Sequence, residues 1–293
     1  DPRLKPELII IVGGLIASAH ASMMIVIPAM PNFMKGLGAF DVMGLAFGPA
    51  LSLGIALSSS SLGRFLTNIP SGVLSEHIGR KHVIIMGALI VGLFSSLSGT
   101  APNAPIFWLY RLLIGVGSAM TITVANVVAA DLSSVENRGR VLGLMHGMQL
   151  VVGIATPALG GFLAAWVSLR APFYVSGIAV TIFAVWGLLR LPETRPSKTS
   201  GATGVQSQRS LGTLSLLRDP SFFLVCMVGF ATFFLRGGAT TGLIPVFMVE
   251  VLQQSEAVLG ILFTISSVIH GIIVYPAGAI ADRIGRKPLI VPA

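Results

Sequence analysis

Charged residues are scarce in this chain. They make up 10% of its 293 residues, whereas 54% of the residues are hydrophobic. A soluble protein carries about a quarter charged residues, so this chain has too few to cover a solvated surface of its size. Its mean hydropathy is +0.87. The composition therefore predicts a membrane protein whose side chains lie mostly in lipid or against other buried helices.

Cysteine is almost absent, and acidic residues are few. Cys226 is the sole cysteine, which excludes a disulfide framework and a metal site built from thiols. The 11 acidic residues fall at the ends of hydrophobic runs or between them. The sequence has no phosphate-binding glycine loop, no cluster of metal ligands and no pair of carboxylates within a run. We therefore expect neither an enzyme nor a bound cofactor or metal.

Eight hydrophobic segments are long enough to cross a bilayer, which takes about 20 apolar residues. The first segment is too long to be a signal peptide and is counted as a span. Residues 195–219 are rich in Ser, Thr, Gly, Gln and Arg, which predicts a solvated linker between two halves. The predicted spans cover residues 8–34, 42–74, 83–131 (two spans separated at 102–105), 141–166, 171–189, 221–248 and 257–281, and a ninth run begins near Pro288.

One short stretch occurs twice. Residues 70–84 and 276–290 lie 206 positions apart, and seven of their fifteen residue pairs are identical. Each copy links the end of one hydrophobic segment to the start of another through Gly-Arg-Lys. This pattern predicts an internal duplication of a helical bundle, an arrangement typical of transporters.

Basic residues are distributed unevenly between the loops. With a cytoplasmic amino terminus, fourteen lie in cytoplasmic loops and only two, Lys35 and Arg170, lie outside. This bias predicts that orientation and places both Gly-Arg-Lys turns in the cytoplasm. The net charge of +8 thus reflects membrane orientation, and no nucleic-acid partner is expected. The fourteen are Arg3, Lys5, Arg80, Lys81, Arg138, Arg140, Arg190, Arg195, Lys198, Arg209, Arg218, Arg283, Arg286 and Lys287.

Several motifs resemble those of the major facilitator superfamily. The pattern Gly-x-Leu-x-Asp-x-x-Gly-Arg-Lys, which follows the second helix in that superfamily, is present with Glu76 in place of Asp. Pro192-Glu193-Thr194 after the sixth span is similar to drug-exporter members. The other matching positions are Gly72, Leu74, Gly79, Arg80 and Lys81 in the first copy, Gly278, Asp282, Arg283, Gly285, Arg286 and Lys287 in the second, Pro28 and Pro31 in the first span, Arg111, Gly115 and Gly117 in the fourth, and Gly153, Thr156, Pro157, Gly160 and Gly161 in the fifth. The last group resembles a motif of antiporters, with Thr156 in place of Gly.

The resemblance implies an all-α, multi-pass membrane fold of twelve helices. This chain would supply the six-helix amino-terminal half (1–194), the cytoplasmic linker (195–219) and the first two helices of the second half (220–293). The implied function is secondary active transport of a small organic solute by alternating access, as proton-coupled efflux or antiport, in the plasma or inner membrane. Two alternatives stay open: an organic-anion or metabolite carrier, and a truncated membrane protein that does not transport.

Polar residues inside the spans are the candidates for a substrate cavity. A buried arginine costs about 2.5–3.5 kcal/mol even on a lenient insertion scale, so it normally faces a cavity or a partner. Because no acidic residue lies deep in a span, we expect a positive cavity wall, unless acidic residues elsewhere in the protein or near the loops pair with these arginines. The expected cavity residues are His20, Met24, Arg111, Asn126, Phe233, Arg236 and Thr240.

Proton coupling is assigned to Arg111, His20 and His146. The resemblance implies this role for Arg111, and the alternative is a structural hydrogen bond to carbonyls of a broken neighbouring helix. Histidine is the remaining group in the spans that titrates near neutral pH, and packing is the alternative for both histidines. Arg236 stands beside two glycines, where the helix is expected to bend.

The two basic turns are expected to gate the inner face. An acidic residue in a turn can lie against the positive amino end of a helix in the opposite half, so we expect Asp282 to approach Arg138 and Arg140. Arg64 and His270 occupy matching positions of the two halves and are expected at the gate or cavity. Small residues in the fifth span (Gly153, Pro157, Gly160 and Gly161) predict a close helix interface. The complete gating set is Arg64, Gly72, Glu76, Gly79, Arg80, Lys81, Asp131, Arg138, Arg140, His270, Gly278, Asp282, Arg283, Gly285, Arg286 and Lys287.

Overall fold

The computed structural model describes residues 6–38, 40–42, 45–133, 138–193 and 220–284. Seven helical stretches among them are long and apolar enough to cross a membrane, which confirms the predicted all-α, multi-pass fold class. The elements in chain order are α1 (Pro6–Met24), α2 (Met30–Leu37), β1 (Phe40–Val42), β2 (Leu45–Phe47), α3 (Pro49–Ile78), α4 (Arg80–Ser98), α5 (Ala104–Leu132), α6 (Arg138–Trp166), α7 (Ala171–Arg190), α8 (Pro220–Leu235), a π-helix (Arg236–Leu243), α9 (Ile244–Glu250) and α10 (Glu256–Ile284).

The first predicted span is two helices. The chain makes turns over residues 25–29 between α1 and α2, where Pro28 has no backbone N–H to continue the helix. The helix resumes at Met30 with Pro31 in its first turn, where the missing N–H costs nothing. The break leaves the Ile25 carbonyl free to meet a neighbouring helix.

The second span starts later than predicted. Phe40–Val42 and Leu45–Phe47 form a short antiparallel pair, with Phe40 opposite Phe47, and α3 begins only at Pro49 after an extended Gly48. α3 is 30 residues long but is not among the seven most apolar stretches, because it contains a run of serines at 58–61. We call the end of the bundle with this strand pair the hairpin end, and the end with the Gly79 turn the basic end.

The core of the bundle lies between α1, α4, α5, α6 and α7. Leu15, Ile84, Val124, Met145 and Val180, one from each helix, are all buried there. A second cluster closes the hairpin end, where the rings of Phe33, Phe107 and Phe173 lie with centroids 4.8 to 5.8 Å apart. Tilted and edge-on aromatic pairs of this kind add to the stability gained by burial.

Glycines set the distance between α3 and α5. The Cα of Gly63 faces the backbone of Leu112, and that of Gly115 faces the backbone of Ser60, with no room for a Cβ at either position. The two helices run in the same direction and are in contact over most of their length. Arg64, beside Gly63, is therefore held at a fixed level of the bundle.

The last described elements pack against the first six spans. α10 lies along α6, and the π-helix and α9 contact α3 and α2. α8 exposes large apolar side chains, including Phe223, Phe230 and Phe234. An apolar exposed surface of this kind fits contact with lipid or with further helices. The predicted linker at 195–219 lies outside the described residues.

Candidate functional site

The turn at the basic end is built around Gly79. Its φ of 102° is a conformation that favours glycine, and it joins α3 to α4. The carboxylate of Glu193, just after α7, covers this turn. The backbone N–H of Arg80 donates to Glu193 Oε1 at 2.9 Å, and His82 Nδ1 lies 3.5 Å from Glu193 Oε2. Glu193 therefore caps the start of α4 and complements its dipole.

The side chain of Arg80 binds a second acidic residue. It forms an ion pair with Asp131 near the end of α5, and Arg80 itself is only 9% exposed. Arg80 thus ties the start of α4 to the ends of α5 and α7 through Asp131 and Glu193. The sequence predicted Arg80 and Asp131 in one gating group, and the structure brings them together.

The other predicted gating residues near the basic turns give no such contact in the described part of the chain. Glu76 and Arg140 are exposed, Gly72 and Lys81 are half-buried, and Gly278 lies within α10. The side chains of Arg138, Asp282 and Arg283, and the whole of Gly285, Arg286 and Lys287, lie outside the described residues. The approach of Asp282 to Arg138 and Arg140 stays a prediction.

Polar side chains meet at the middle of the bundle. Arg64 is the sixteenth of the thirty residues of α3, and its Nη1 lies 3.5 Å from the sulfur of Met23 on α1. One turn before Met23, the half-buried His20 faces α6, with its Nε2 3.5 Å from the position that a Cβ on Gly153 would take. Gly153 therefore leaves room for the imidazole, and any larger residue would press on it.

Arg111 and Asn126, two predicted cavity residues, lie far apart. They are fifteen residues apart on α5, which is about 22 Å along the helix axis, so one small solute cannot contact both at once. Arg111 is 2% exposed, and its Nε has no hydrogen-bond partner among the described residues; the same holds for Oδ1 of Asn126. Buried polar atoms without partners are uncommon and call for a functional or structural reason.

The remaining residues predicted for the cavity or for proton coupling, where their side chains are described, are more exposed than Arg111. His146 on α6 and His270 on α10 are exposed, and Met24 and Thr240 are half-buried. The side chains of Phe233 and Arg236 lie outside the described ones. The helix is indeed irregular at Arg236: it is a π-helix over Arg236–Leu243, and such segments often mark functional sites.

The glycines of the fifth span hold three helices together. Gly160 of α6 meets the backbone carbonyl of Ile25 in the break of the first span, and Gly161 meets the carbonyl of Glu256 at the start of α10. Gly260 of α10 in turn packs on the Pro157 carbonyl, 2.5 Å from its ideal Cβ position. The motif therefore joins the first half to the start of the second, as a close interface.

Thr264 of α10 inserts its hydroxyl into the backbone of α6. The hydroxyl donates to the Ile154 carbonyl at 2.9 Å and accepts from the Ala158 N–H at 3.1 Å. Pro157 disturbs the hydrogen-bond ladder of this turn because it has no N–H and its ring crowds the preceding turn. The Thr264 hydroxyl thus takes part in the backbone hydrogen-bond ladder of α6, although Thr264 belongs to α10.

Replacing Thr264 with valine is expected to lower the free energy of unfolding by about 1–2 kcal/mol, since a hydroxyl with two backbone partners is lost. Thr264→Ser should retain most of the stability. Thr232→Val is a matched control, because the Thr232 hydroxyl bonds only to Val228 of its own helix. Thermal unfolding of the four proteins in detergent measures the difference, and an equal effect at both threonines would contradict the bridging role.

Polar contacts join the two halves at the hairpin end. The amide Nδ2 of Asn32 on α2 donates to Glu256 Oε1 at 2.5 Å, and Lys35 Nζ lies 3.9 Å from Glu250 Oε1 at the end of α9. The two side chains of this ion pair are each 38% exposed, so the pair adds little stability. These contacts close the hairpin end, and the exposed ion pair can break at low cost.

The comparisons with known proteins agree with this architecture. The sequence model of the Major Facilitator Superfamily matches residues 12–293. The chain belongs to that superfamily. Among curated relatives, Multidrug resistance protein 2 of Bacillus subtilis (strain 168) is 24% identical over 269 residues, which is 91% of this chain and 64% of the relative. Quinolone resistance protein NorA of Staphylococcus aureus is 24% identical over 184 residues, 63% of this chain and 45% of NorA.

Solved members of the family share the fold. A bacterial homologue of the human lysosomal transporter Spinster, crystallised inward-facing and unoccupied, superposes with a TM-score of 0.74 at 15% identity, covering 95% of this chain and 62% of that one. The D-xylose–proton symporter gives 0.67 at 18% identity, with 96% and 69% covered. The chain thus spans about two thirds or less of the length of these proteins. The activity of the whole protein is therefore a proposal.

The structure adds functional candidates that the sequence did not single out. The freed backbone groups around Pro157 were a signal that a polar partner was needed, but nothing in the sequence named that partner. Likewise Glu193 was known only as part of a motif, because its contact partners lie more than a hundred positions away. The added residues are Met23, Asn32, Lys35, His82, Glu193, Glu250, Glu256 and Thr264.

Proposed function

We propose that the protein is a secondary active transporter that moves a small organic solute across the plasma or inner membrane by alternating access. Family membership supports transport, and the names of two relatives, a multidrug resistance protein and a quinolone resistance protein, favour efflux of organic compounds. Proton-coupled antiport is the coupling that we propose. The six-helix half (1–194) and the second half, which begins at residue 220, would move against each other, and residues 195–219 would link them.

The observation that carries this proposal is the contact between the halves at the hairpin end. Asn32–Glu256 and Lys35–Glu250 are polar side-chain contacts, while Gly161 on the Glu256 carbonyl and Gly260 on the Pro157 carbonyl are close backbone contacts between α6 and α10. An interface of breakable polar contacts above a tight helix crossing suits a rocking motion about that crossing. The excess of basic residues in one set of loops favours a cytoplasmic basic end, so the hairpin end would be the closed outer gate of an inward-facing state.

Proton coupling is proposed for His20, Arg111 and His146. His20 lies at the middle of the bundle beside the tight crossing, where a change of charge would be felt by both halves. Arg111 is buried on α5 with Nε unsatisfied, so its hydrogen-bonding capacity is available to a partner that changes with the transport state.

Transport into proteoliposomes is the test. The intact protein should accumulate a fluorescent quinolone in inside-acid vesicles, which mimics efflux against proton entry, and a protonophore should abolish the accumulation. Empty liposomes and the protein without a pH gradient are the controls. Accumulation that is unaffected by the protonophore would remove proton coupling, and failure of every tested solute to move would contradict transport itself.

The outer gate gives a separate prediction. Because Cys226 is the sole cysteine, the Cys226→Ser background allows one pair, Asn32→Cys with Glu256→Cys, to be cross-linked by oxidation. Cross-linking should stop transport, and reduction should restore it. Full transport by the cross-linked protein would show that these helix ends need not separate.

An organic-anion or metabolite carrier is the second candidate. One observation favours it: Arg64 is positively charged, lies at the middle of the bundle and has a thioether as its hydrogen-bond partner.

A further inference from the structure

Arg64 lies near the middle of α3. α3 extends over 30 residues, about 45 Å, which exceeds the roughly 30 Å of the hydrocarbon core. Arg64 is about 22 Å from one end of the helix and about 21 Å from the other. Family folds bind their substrates at this depth, between the halves, so the level of Arg64 is the level at which a solute would stop.

No acidic residue described on α1, α3 or α5 can reach the Arg64 guanidinium. Asn68 of α3 bonds to Thr123 of α5 at 3.0 Å, which places Arg64 level with about residue 119 of α5. Glu76 on α3 and Asp131 on α5 are then each about 18 Å away along the axis, and Glu7 of α1 is farther from the level of Met23. These distances exceed the length of an arginine side chain several-fold.

The contacts of the Arg64 side chain leave most of its hydrogen-bonding capacity unused. A guanidinium has five N–H donors, and a thioether sulfur is a weak acceptor. The Met23 contact at 3.5 Å therefore occupies one donor with a poor partner. A positive charge at this depth is costly unless an anion or water meets it.

The face of α3 that carries Arg64 is directed toward the second half. Leu57 and Arg64 are seven residues apart and so lie on one face of the helix, about 20° apart. A Cβ on Gly242 in the π-helix would lie 3.6 Å from Leu57 Cδ1. The Arg64 face thus turns toward the π-helix on one side and toward α1 on the other, which is the space between the two halves.

We propose that Arg64 binds the carboxylate of an amphipathic organic anion, with Met23 and Leu57 against its apolar part. A planar guanidinium matches a carboxylate with two parallel hydrogen bonds, and a flexible thioether adapts to apolar groups of different shape. This inference rests on the proposed transport function and assigns its substrate class. Of the two positions expected for Arg64 from the sequence, the gate or the cavity, it selects the cavity.

Three probes that differ in one group test the proposal. Naphthylacetate, naphthylacetamide and naphthylethylamine share an apolar ring and carry a negative, a neutral and a positive group. Equilibrium dialysis with the intact, detergent-purified protein should show the carboxylate binding about 10- to 100-fold more tightly than the amide, as expected for one charge-assisted bidentate contact. The amine should bind most weakly. Equal binding of all three, or preference for the amine, would overturn the assignment.

Variants separate binding from folding. Arg64→Gln should remove the preference for the carboxylate, while Arg64→Lys should keep a preference and lose about 3- to 10-fold in affinity, since the charge stays and the bidentate geometry is lost. Arg170→Gln is the matched control, because Arg170 is exposed in the loop before α7, and it should change nothing. If Arg64→Gln lowers the melting temperature but leaves the preference of the protein unchanged, Arg64 is structural and the proposal is wrong.

The outcome for the substrate class is separable from the outcome for transport. Binding is measured at equilibrium without a gradient, so a carboxylate preference that depends on Arg64 can be present even if no solute is moved. Conversely, proteoliposomes that accumulate naphthylethylamine, in a protein with no affinity for naphthylacetate, would keep the transport function and remove the anion class.

Discussion

Gly160→Val is expected to abolish transport and to destabilise the protein by about 1–3 kcal/mol or more, the range for overpacking a tight contact. A Cβ at Gly160 would collide with the backbone carbonyl of Ile25, in the break between α1 and α2. A backbone carbonyl, unlike the end of a flexible side chain, cannot turn aside. α6 must shift away from the first span, and Gly161, its next residue, moves with it, so the α6–α10 crossing on which the proposed rocking motion depends is distorted.

Gly147→Val is the matched control for this experiment. Gly147 lies on the same helix, and nothing lies within 4 Å of a Cβ placed there. Valine at Gly147 should leave stability within about 0.5 kcal/mol and transport intact. Thermal unfolding and proteoliposome transport of both variants measure the difference. Wild-type behaviour of Gly160→Val would show that the observed crossing is not needed.

Arg80→Ala should have the second-largest effect. It removes the partner of Asp131 at the basic end, where Arg80 is 9% exposed and the Asp131 side chain is 35% exposed. We expect a loss of about 1–3 kcal/mol in the free energy of unfolding, below the range for a fully buried pair because Asp131 stays partly solvated. The transport rate should fall with it if this junction couples the helix ends.

A double-mutant cycle isolates the pair. Asp131→Asn alone should destabilise the protein, and the combination with Arg80→Ala should cost less than the sum of the two. Arg190→Ala is a matched control, because Arg190 and Glu7 form a more exposed pair at 3.7 Å that should contribute below about 1 kcal/mol. Strict additivity of the Arg80 and Asp131 changes would show that their contact carries no stability.

Local signals in the sequence predicted the spans well where hydrophobicity was continuous. α7, predicted at 171–189, is observed as Ala171–Arg190, because proline and charge mark both of its ends. The predicted start of α3 was wrong by seven residues, because the strands Phe40–Val42 and Leu45–Phe47 are as apolar as a helix of that length. The break in the first span was missed, because residues 8–34 were predicted as one span although Pro28 lies within it, and Gly160 packs against that break.

For the candidate site, the sequence indicated which polar residues are unusual within hydrophobic spans. It did not indicate which of them contact one another. Arg64 stood out as a charge in a hydrophobic run and was grouped with the gate from its symmetry with His270. Its level, its Met23 contact and the face that it shares with Leu57 depend on how α1, α3 and the π-helix pack. Glu193, Glu256 and Thr264 find their partners across at least a hundred positions of chain, a separation over which no local pattern carries information.

By itself, the sequence determined that the chain is a multi-pass membrane protein and that its basic turns are duplicated, because burial in lipid acts on each segment separately. The tertiary structure alone decided which polar groups pair. Those contacts arise when helices distant in sequence approach closely enough, at Gly63, Gly115, Gly160 and Gly161, for side chains and backbone groups of different helices to form hydrogen bonds and ion pairs.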